Sequence, residues 1–444
     1  MKTDKFSIVK DDRFDLIKEV KINTETGLKP FLKWPGGKSK ELKVILPNLP
    51  ERINNFYEPF IGGGAVYFAV TNAKHYFIND QSKDLIDLYQ NIKSDSNAEL
   101  FDTLSKMDDY WKELDRIYET HKLQLVELFL NLREDENFDI KNAVNTFIET
   151  NITDFQNPIH GIFSFDFKFY TKELKLNLYR KMSRMRQIEK EKGLLPDEDI
   201  NSNILTAIKS SFYMYFRELY NKHEKYNIKS AIYSAIYFFI RNYTYSGMFR
   251  YNADGEFNVP YGGIGYNGNS LDKKIKYISS GEVQNRLKNT TIENKDFYGF
   301  MKSQKSAEND FIFLDPPYDT EFSTYDQNEF TQADQIRLSK FLTEETVCKW
   351  MLVIKNTDFI HHLYEKQGIF IKYFDKSYNV SFMNRNERKT EHLMITNYRN
   401  THDKKINSDT QGDDYIAFSS PPCPLSMPER GQGGEEKEIE DINR

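Results

Sequence analysis

A tetrapeptide at 315–318, Asp-Pro-Pro-Tyr, combines an acid, a free carbonyl and an aromatic ring directly after four apolar residues at 311–314. A short apolar run of this kind is typical of a strand that is buried on both faces of a parallel sheet. Pro316 has no backbone donor, so the strand must end there, and the polar groups follow at its carboxyl end. Open α/β sheets bind their ligands at that edge.

The groups of this tetrapeptide suit an attack by a weakly nucleophilic amine. The lone pair of a nucleobase amine is delocalised into the ring, so that the amine hardly reacts unaided. Asp315 and the Pro316 carbonyl can each accept one amine hydrogen, which frees the lone pair, while Pro317 stiffens the backbone. Tyr318 offers a flat face on which an extruded base can stack, a contact worth about 1–3 kcal/mol. The tetrapeptide alone is equally compatible with an Asp-Pro turn that caps a core strand.

A second polar cluster is predicted where residues 56–66 pass from a strand through Gly62, Gly63 and Gly64 into a helix. Glycines at this position allow the backbone to approach a ligand closely. A short strand at 75–78 then ends just before Asp80. An acid about 18 residues after a glycine turn suits hydrogen bonding to ribose hydroxyls. The pattern therefore predicts a nucleoside-binding βαβ unit.

Two other nucleotide-binding motifs fail on their spacing. The three glycines do not match G-x-G-x-x-G, which disfavours a nicotinamide or flavin cofactor. Residues 37–39, Gly-Lys-Ser, resemble the end of a phosphate-binding P-loop. That motif needs a glycine five residues before Gly37, where this chain has Leu32. A P-loop is therefore excluded.

Donors for nucleic acid follow a predicted buried helix at 231–240. The stretch 241–262 contains Asp254-Gly255, a strong signal for a hairpin turn, and its arginine, asparagine, tyrosine and serine side chains suit base edges and phosphates. A polar surface hairpin without this role is the alternative. Residues 167–192 are rich in lysine and arginine, a pattern equally compatible with a solvated helical face and with contact to a phosphate backbone.

Composition indicates a large intracellular α/β protein. At 444 residues and 39% hydrophobic, the chain can form one large core and a substantial second module. The longest apolar run, 231–240, is too short for a membrane span of about 20 residues, and the N-terminus lacks a signal region. Cys348 and Cys423 have no metal or redox spacing. We therefore expect a cytoplasmic protein without a metal site.

The net charge of −6 does not argue against a nucleic-acid partner, because the acids are concentrated at the C-terminus. From residue 400 onward there are ten acidic and five basic residues, in a stretch rich in proline and glycine that we expect to be disordered. The remaining body is close to neutral and can carry a basic groove.

Taken together and in this order, these blocks resemble the Dam-type DNA adenine methyltransferases, the α class of amino-methyltransferases. The resemblance covers residues 31–98 and 230–399. It implies an α/β fold, a Rossmann-like methyltransferase sheet that binds S-adenosylmethionine, with an inserted, largely helical target-recognition domain and a hairpin. The blocks that carry it are 31–38, 57–64, 78–89, 241–262, 315–318 and 381–397.

The resemblance also implies an organisation of the chain. Residues 1–30 would form an N-terminal extension, and 31–98 the cofactor-binding half of the catalytic domain. Residues 99–270 would form the DNA-binding insertion and 271–399 the second catalytic half, followed by an acidic tail at 400–444. Two departures are notable: Lys355-Asn356 replaces the Ser-Asn pair of many members, and 99–230 is longer than compact members need.

The resemblance assigns roles to individual residues. The catalytic residues would be Asp315, Pro316, Pro317 and Tyr318. The cofactor-binding residues would be Trp34, Lys38, Glu58, Phe60, Gly62, Gly64, Asp80 and Asp315. The DNA-contacting residues would be Arg241, Asn242, Arg250, Asn252 and Arg388.

The implied reaction is direct in-line transfer of a sulfonium methyl to the N6 amine of adenine flipped out of double-stranded DNA. We expect a monomer that works beside a cognate restriction endonuclease. Methylation of cytosine N4 needs the same acceptors and is the nearest alternative; a catalytically inactive DNA-binding regulator and an RNA substrate are the others. Methylation of cytosine C5 would require a cysteine nucleophile, and Cys423 lies in the expected disordered tail.

Overall fold

The computed structural model describes residues 27–317, 330–376 and 390–399. Within these residues the centre of the molecule is a seven-stranded sheet with the order β3-β2-β1-β4-β5-β7-β6. Strands β1 to β5 pair in parallel, whereas β7 is antiparallel to both β5 and β6. The strands are β1 (Ile53–Glu58), β2 (Ala73–Asn79), β3 (Thr290–Glu293), β4 (Phe311–Leu314), β5 (Lys349–Lys355), β6 (Phe370–Lys376) and β7 (Thr390–Thr396). The predicted Rossmann-like α/β architecture is confirmed.

The order of the strands reverses between β1 and β4. Glu58 ends β1, and Asp315 directly follows β4, its neighbour in the sheet. In doubly wound sheets the crevice at such a switch point, beyond the carboxyl ends of the strands, is where ligands bind. The topology therefore brings the glycine turn and the tetrapeptide to one place.

Strand β4 is buried on both faces, as its continuous apolar run predicts. Phe311 and Phe313 pack into the larger hydrophobic core, which continues into the helices inserted after β2. Ile312 and Leu314 point to the other face and pack with the helices that flank β5. Because successive side chains of a strand alternate between faces, one short strand joins two cores and holds Asp315 rigidly.

Helices cover both faces of the sheet and form the insertion. Helices outside the insertion include α1 (Leu42–Ile45), α2 (Ala65–Ala69), α3 (Lys83–Lys93), α10 (Asp272–Ile278), α11 (Gly281–Lys288), α12 (Phe297–Gln304), α13 (Gln332–Lys340) and α14 (Asp358–Tyr364). The insertion contains α4 (Ala98–Glu134), α5 (Ile140–Thr150), α6 (Ile152–Gln156), α7 (Phe167–Lys192), α8 (Asp197–Asn221) and α9 (Ser230–Tyr243). None of the helices in the described ranges is long and apolar enough to cross a membrane.

The predicted buried helix is α9, which packs against α3, α4 and α8. A helix enclosed on several sides has no solvent-facing stripe, which explains its unbroken apolar sequence. Its contact with α3 joins the insertion to the side of the sheet that contains β1, β2 and β3.

Several elements differ from the sequence prediction. The short edge strand β3 and helices α10, α11, α12 and α14 have no counterpart among the predicted elements, because their apolar residues are few and their periods short. The sequence pattern at 333–342 predicts a helix, which is α13 and continues into a π-helical turn at Phe341–Glu345. Short apolar runs at 350–354, 369–374 and 392–397 predict strands, and they correspond to β5, β6 and β7.

Candidate active site

A cavity of about 300 Å³ lies at the carboxyl ends of β1, β2 and β4. Most residues predicted from the sequence to form the site line this cavity. They are Trp34, Lys38, Glu58, Phe60, Gly62, Asp80, Asp315, Pro316 and Pro317. Gly64 lies behind the lining, between Gly63 and Ala65. The structure therefore assembles in one pocket groups that are far apart in the chain.

Lys38 and Asp315 form an ion pair in the wall of the cavity. The Lys38 side chain is 2% exposed and that of Asp315 is 20% exposed. Lys38 Nζ also donates to the carbonyl of Gly36 at 2.9 Å. A buried ammonium group is costly unless it is paired and hydrogen-bonded, so these acceptors fix where Lys38 lies. The pair in turn orients the Asp315 carboxylate.

The proline pair after Asp315 is supported from the opposite side. Gln335 of α13 is fully buried, and its side-chain amide donates to the carbonyl of Pro317 at 3.1 Å. Pro316 is buried while Pro317 is exposed. The backbone that follows β4 is therefore held by both its proline rings and a neighbouring helix.

Glu58 brings a second carboxyl group to the cavity, and it is only 3% exposed. Its Oε2 atom is buried and has no hydrogen-bond partner in the ranges that the structure describes. Burial raises the pKa of Glu58 well above its ordinary value, and the charges of Asp315 and Asp80 raise it further, against a backbone hydrogen bond from Tyr67 and the charge of Lys38. Burial in the free protein therefore favours the protonated form of Glu58 relative to an exposed glutamate.

Asp80 ties the end of β2 to the glycine turn. Its Oδ2 accepts from the Gly62 amide at 2.9 Å, and its Oδ1 accepts from the Ser82 amide at 3.0 Å. Burial raises the pKa of Asp80, while these backbone donors oppose the rise. Each carboxylate oxygen has capacity for a further donor.

The glycine turn is required by close packing. Gly62 has φ +47°, and a Cβ there would lie 2.7 Å from Cδ1 of Trp34. Gly64 has φ +72°, and its Cβ would meet the Tyr89 hydroxyl at 2.8 Å. Both positions therefore exclude a side chain on conformational and steric grounds. The indole of Trp34 packs directly on the turn as a result.

Arg241 occupies an unexpected position. It lies in α9, is 1% exposed and lines the cavity, and its predicted contact with DNA stays a prediction. The guanidinium carbon is 4.7 Å from the ring centre of Trp34 and 4.1 Å from that of Phe249. Its Nη2 donates to the carbonyl of Lys33 at 2.6 Å. The reason is that α9 packs beside the segment that carries Trp34.

The predicted hairpin is present, with Tyr251 pairing with Phe257 around the turn at Asp254-Gly255. Asn252 serves the turn itself, since its Oδ1 accepts from the amides of Asp254 at 3.1 Å and Glu256 at 2.8 Å. Arg250 is exposed, and its Nε donates to Asn258 Oδ1 at 3.0 Å.

Asn242 belongs to α9 and not to the hairpin. Its Nδ2 donates to the carbonyl of Phe238 at 2.7 Å, and its Oδ1 accepts from Lys274. Of the described residues predicted to contact DNA, Arg250 is the one whose side chain is exposed. Tyr318 and Arg388 lie outside the described residues, and their roles stay predictions.

Sequence reasoning missed the aromatic walls of the cavity, Phe249, Phe297 and Phe330. Phe297 and Phe330 pack on Phe60 with ring centres 5.6 Å and 5.5 Å away. Single phenylalanines carry no positional signal. A charged residue near the end of the apolar helix α9 does carry one, and it would have indicated that Arg241 is buried for a reason.

The predicted family resemblance is confirmed by comparison with known proteins. The chain is 25% identical over 376 residues to type II methyltransferase M.CviBI of Paramecium bursaria Chlorella virus NC1A, which covers 84% of this chain and all of that protein. It is 27% identical to type II methyltransferase M.MjaIII of Methanocaldococcus jannaschii, over 76% of this chain and 88% of the relative. It is 23% identical to DNA adenine methylase of Escherichia coli K12, over 70% of this chain and 74% of that protein.

The family model for D12 class N6 adenine-specific DNA methyltransferases matches residues 34–192 and 176–382. These two segments include the glycine turn, the whole helical insertion, the hairpin and β4 with its tetrapeptide. The match thus spans each element that builds the cavity. The chain belongs to the D12 class of N6 adenine-specific DNA methyltransferases.

Proposed function

We propose that this methyltransferase uses S-adenosylmethionine to methylate adenine N6 within a specific sequence of double-stranded DNA. The observation that carries the proposal is the cavity at the switch point of the sheet. There the Lys38–Asp315 pair lies beside Glu58 and Asp80. Bound S-adenosylmethionine supplies an electrophilic methyl group on a positively charged sulfur.

The polar groups of the cavity fit such a donor. The unpartnered Glu58 Oε2 suits the ammonium group of its amino-acid end, since a buried acceptor without a donor is costly. The Asp80 oxygens have remaining capacity for ribose hydroxyls. Trp34 and Phe60 provide apolar and aromatic walls, and the volume of about 300 Å³ is at the lower end of ligand pockets.

Asp315 and the Pro316 carbonyl would accept the two hydrogens of the target amine. With its lone pair freed from the ring, the amine nitrogen would be able to attack the methyl group that the bound donor supplies. Its surplus proton would then pass to solvent water. Lys38 acts through Asp315 by holding the carboxylate in orientation. The polar groups are preorganised, which is the main source of rate enhancement in sites of this kind.

The target base must leave the duplex to reach this cavity, at a cost of a few kcal/mol. In this proposal the exposed Arg250 on the hairpin contacts DNA outside the cavity. We infer that the enzyme acts as a monomer and protects a sequence that a companion restriction endonuclease cleaves. The similarity to two type II methyltransferases supports the restriction-modification part of this proposal.

Transfer to cytosine N4 is the second candidate, because a cytosine amine needs the same two acceptors. The experiment incubates the purified chain with unmethylated bacterial DNA and methyl-labelled S-adenosylmethionine, and then identifies the labelled nucleosides by mass spectrometry. N6-methyladenine is expected. N4-methylcytosine would instead support the second candidate.

Two further arms test the remaining alternatives. Tight binding to DNA without any incorporation of label would identify a catalytically inactive regulator. Labelling of RNA in preference to DNA would show that the 2′-hydroxyl is recognised. Sequencing of modified bases in DNA from cells that express the chain would report the recognition sequence.

A further inference from the structure

Arg241 is a buried cation in the cavity wall that lacks an anionic partner. Its side chain is 1% exposed, and none of the carboxylates in the described ranges forms an ion pair with it. Within the described part of the chain, its one hydrogen bond goes from Nη2 to the backbone carbonyl of Lys33. The Nε and Nη1 atoms are buried and have no acceptor among the same residues.

This arrangement is unfavourable in the free protein. Arginine stays protonated in proteins, and removing its charge from water costs several kcal/mol unless a counter-charge compensates. The faces of Trp34 and Phe249 offset part of this cost through cation–π contact. Aromatic faces cannot accept the N–H groups, which point outward in the plane of the guanidinium. What the site lacks is an oxyanion in that plane.

The charged groups of the cavity differ in how far the protein itself satisfies them. Asp315 is paired with Lys38, and Asp80 is bound to the backbone of the glycine turn. Glu58 has one free oxygen, and Arg241 has two unused donors. A cavity with an unsatisfied acceptor on one residue and unsatisfied donors on another matches a ligand that carries both charges, such as the zwitterionic end of an amino acid.

We propose that Arg241 binds the α-carboxylate of the methyl donor. This inference rests on the proposed function, in which the donor is S-adenosylmethionine. The other oxyanion that the reaction brings is a DNA phosphate. A phosphate stays with the backbone outside the cavity when a base is flipped, whereas Arg241 lies between Trp34 and Phe249 and is almost inaccessible from outside.

The test measures binding and needs no turnover. Dissociation constants are determined by titration calorimetry for S-adenosylmethionine and for decarboxylated S-adenosylmethionine, which lacks only the carboxylate. The wild-type chain should prefer the intact donor about 10- to 100-fold, the range expected for hydrogen bonds to a charged group. In Arg241→Met the preference should fall close to one, because affinity for the intact donor falls while affinity for the decarboxylated donor stays the same.

Two further variants make the result specific. Arg241→Lys keeps the charge but loses the planar pair of donors, and it should recover part of the preference. Arg217→Met is the matched control, since Arg217 is a half-buried arginine of α8 that bonds to the Val259 carbonyl at 3.4 Å and lies outside the cavity lining. It should keep the wild-type preference. Thermal unfolding shows which variants fold, and Arg241→Lys carries the test should Arg241→Met fail to fold.

Other outcomes would overturn the inference. Equal losses of affinity for both donors in Arg241→Met would mean that the side chain only supports the wall. A preserved preference combined with weaker duplex binding and a shallower salt dependence would assign the oxyanion to a DNA phosphate. Failure of the wild-type chain to bind either donor would remove the proposed function itself, a result distinct from the previous two.

Discussion

The cavity at the sheet edge and the core of the helical insertion each bury a lysine beside a carboxylate. In the insertion, Lys209 is fully buried and bonds to Asp115 at 2.8 Å and to the Asn267 carbonyl at 2.6 Å. Its ammonium group also lies 4.6 Å from the ring centre of Trp111. Burial lowers the pKa of Lys209, and the charge of Asp115 opposes this shift. In the cavity, Lys38 pairs with Asp315 in a similar way.

The two regions differ in what surrounds each pair. The ammonium group of Lys209 is bound by Asp115 of α4 and by the Asn267 carbonyl in the loop before α10. These contacts connect α8 to both segments and leave no cavity role for the lysine to explain. Around Lys38 the pocket is open, and polar atoms of Glu58 and Arg241 remain without partners. Each unsatisfied buried polar group costs about 1–3 kcal/mol. A buried charge alone is therefore poor evidence of function, whereas unsatisfied polar atoms around an open cavity indicate a ligand site.

Replacing Asp315 and Asp115 one at a time is the strongest test of the difference between the cavity and the insertion. Asp315→Asn removes the negative charge and one of the two acceptor oxygens from the site, and it should lower methyl transfer at least about 100-fold, by analogy with loss of an oxyanion-hole donor. Asp115→Asn also takes a carboxylate from a buried lysine, yet it should change turnover little and lower mainly the melting temperature. Single-turnover assays with labelled donor measure the transfer rate of both variants, and thermal unfolding measures their melting temperatures. Undiminished transfer by Asp315→Asn would remove this residue from the chemistry.

The exposed hairpin arginine should have the next largest effect. Arg250→Met removes a DNA contact and should weaken binding to the recognised duplex about 5- to 150-fold, equivalent to about 1–3 kcal/mol for a base contact. Arg52→Met is the control, because Arg52 is exposed at the amino end of β1, the edge of the sheet opposite to the cavity. Fluorescence anisotropy on cognate and scrambled duplexes provides the measurement. Equal affinities for wild-type and Arg250→Met would contradict the assignment.

A smaller effect is expected on how the free energy of unfolding and the donor affinity depend on pH. Because the folded pKa of Glu58 is raised, the folded chain binds this proton more tightly than the unfolded chain does. The free energy of unfolding should therefore fall as pH rises from the ordinary value of a glutamic acid toward the raised one. Over the same window the affinity for the cationic donor should increase, by at most tenfold per pH unit, since binding requires an ionised Glu58.

Glu58→Gln provides the comparison for this pH dependence. It has no proton to lose, and both its unfolding free energy and its donor affinity should depend less on pH than those of the wild type. Denaturant titrations and calorimetry at pH 5, 6, 7 and 8 would show the difference. Identical slopes in the two proteins would mean that Glu58 is not the titrating group.

The smallest expected effect lies at the hairpin turn. Asn252→Ala removes the acceptor for two backbone amides and should destabilise the turn by about 1 kcal/mol. Asn252→Asp keeps an oxygen in the same place and should retain most of the stability. Hydrogen exchange of the Asp254 and Glu256 amides measures the change. A large loss of sequence discrimination in a folded Asn252→Ala would instead show that Asn252 contacts a base.

Features that depend only on residues adjacent in the chain were predictable from the sequence. The apolar run before Asp315, the prolines after it and the glycines before α2 each limit the backbone locally. They indicated where strands end and which polar groups follow. The alternation of short strands and helices then indicated a sheet whose carboxyl edge collects those groups. The essential part of the cavity, with Lys38, Asp80 and Asp315, follows from this reasoning and the family resemblance.

Only the tertiary structure decided how side chains distant in the chain share their partners. Arg241 bonds to a carbonyl 208 positions earlier, and no local pattern announces that contact. Asn242 and Asn252 have the residue type of DNA contacts, yet the fold uses their amide groups for α9 and for the hairpin turn. Sequence determines which groups can donate or accept hydrogen bonds. Packing determines which of these groups are already satisfied and which are left for a ligand.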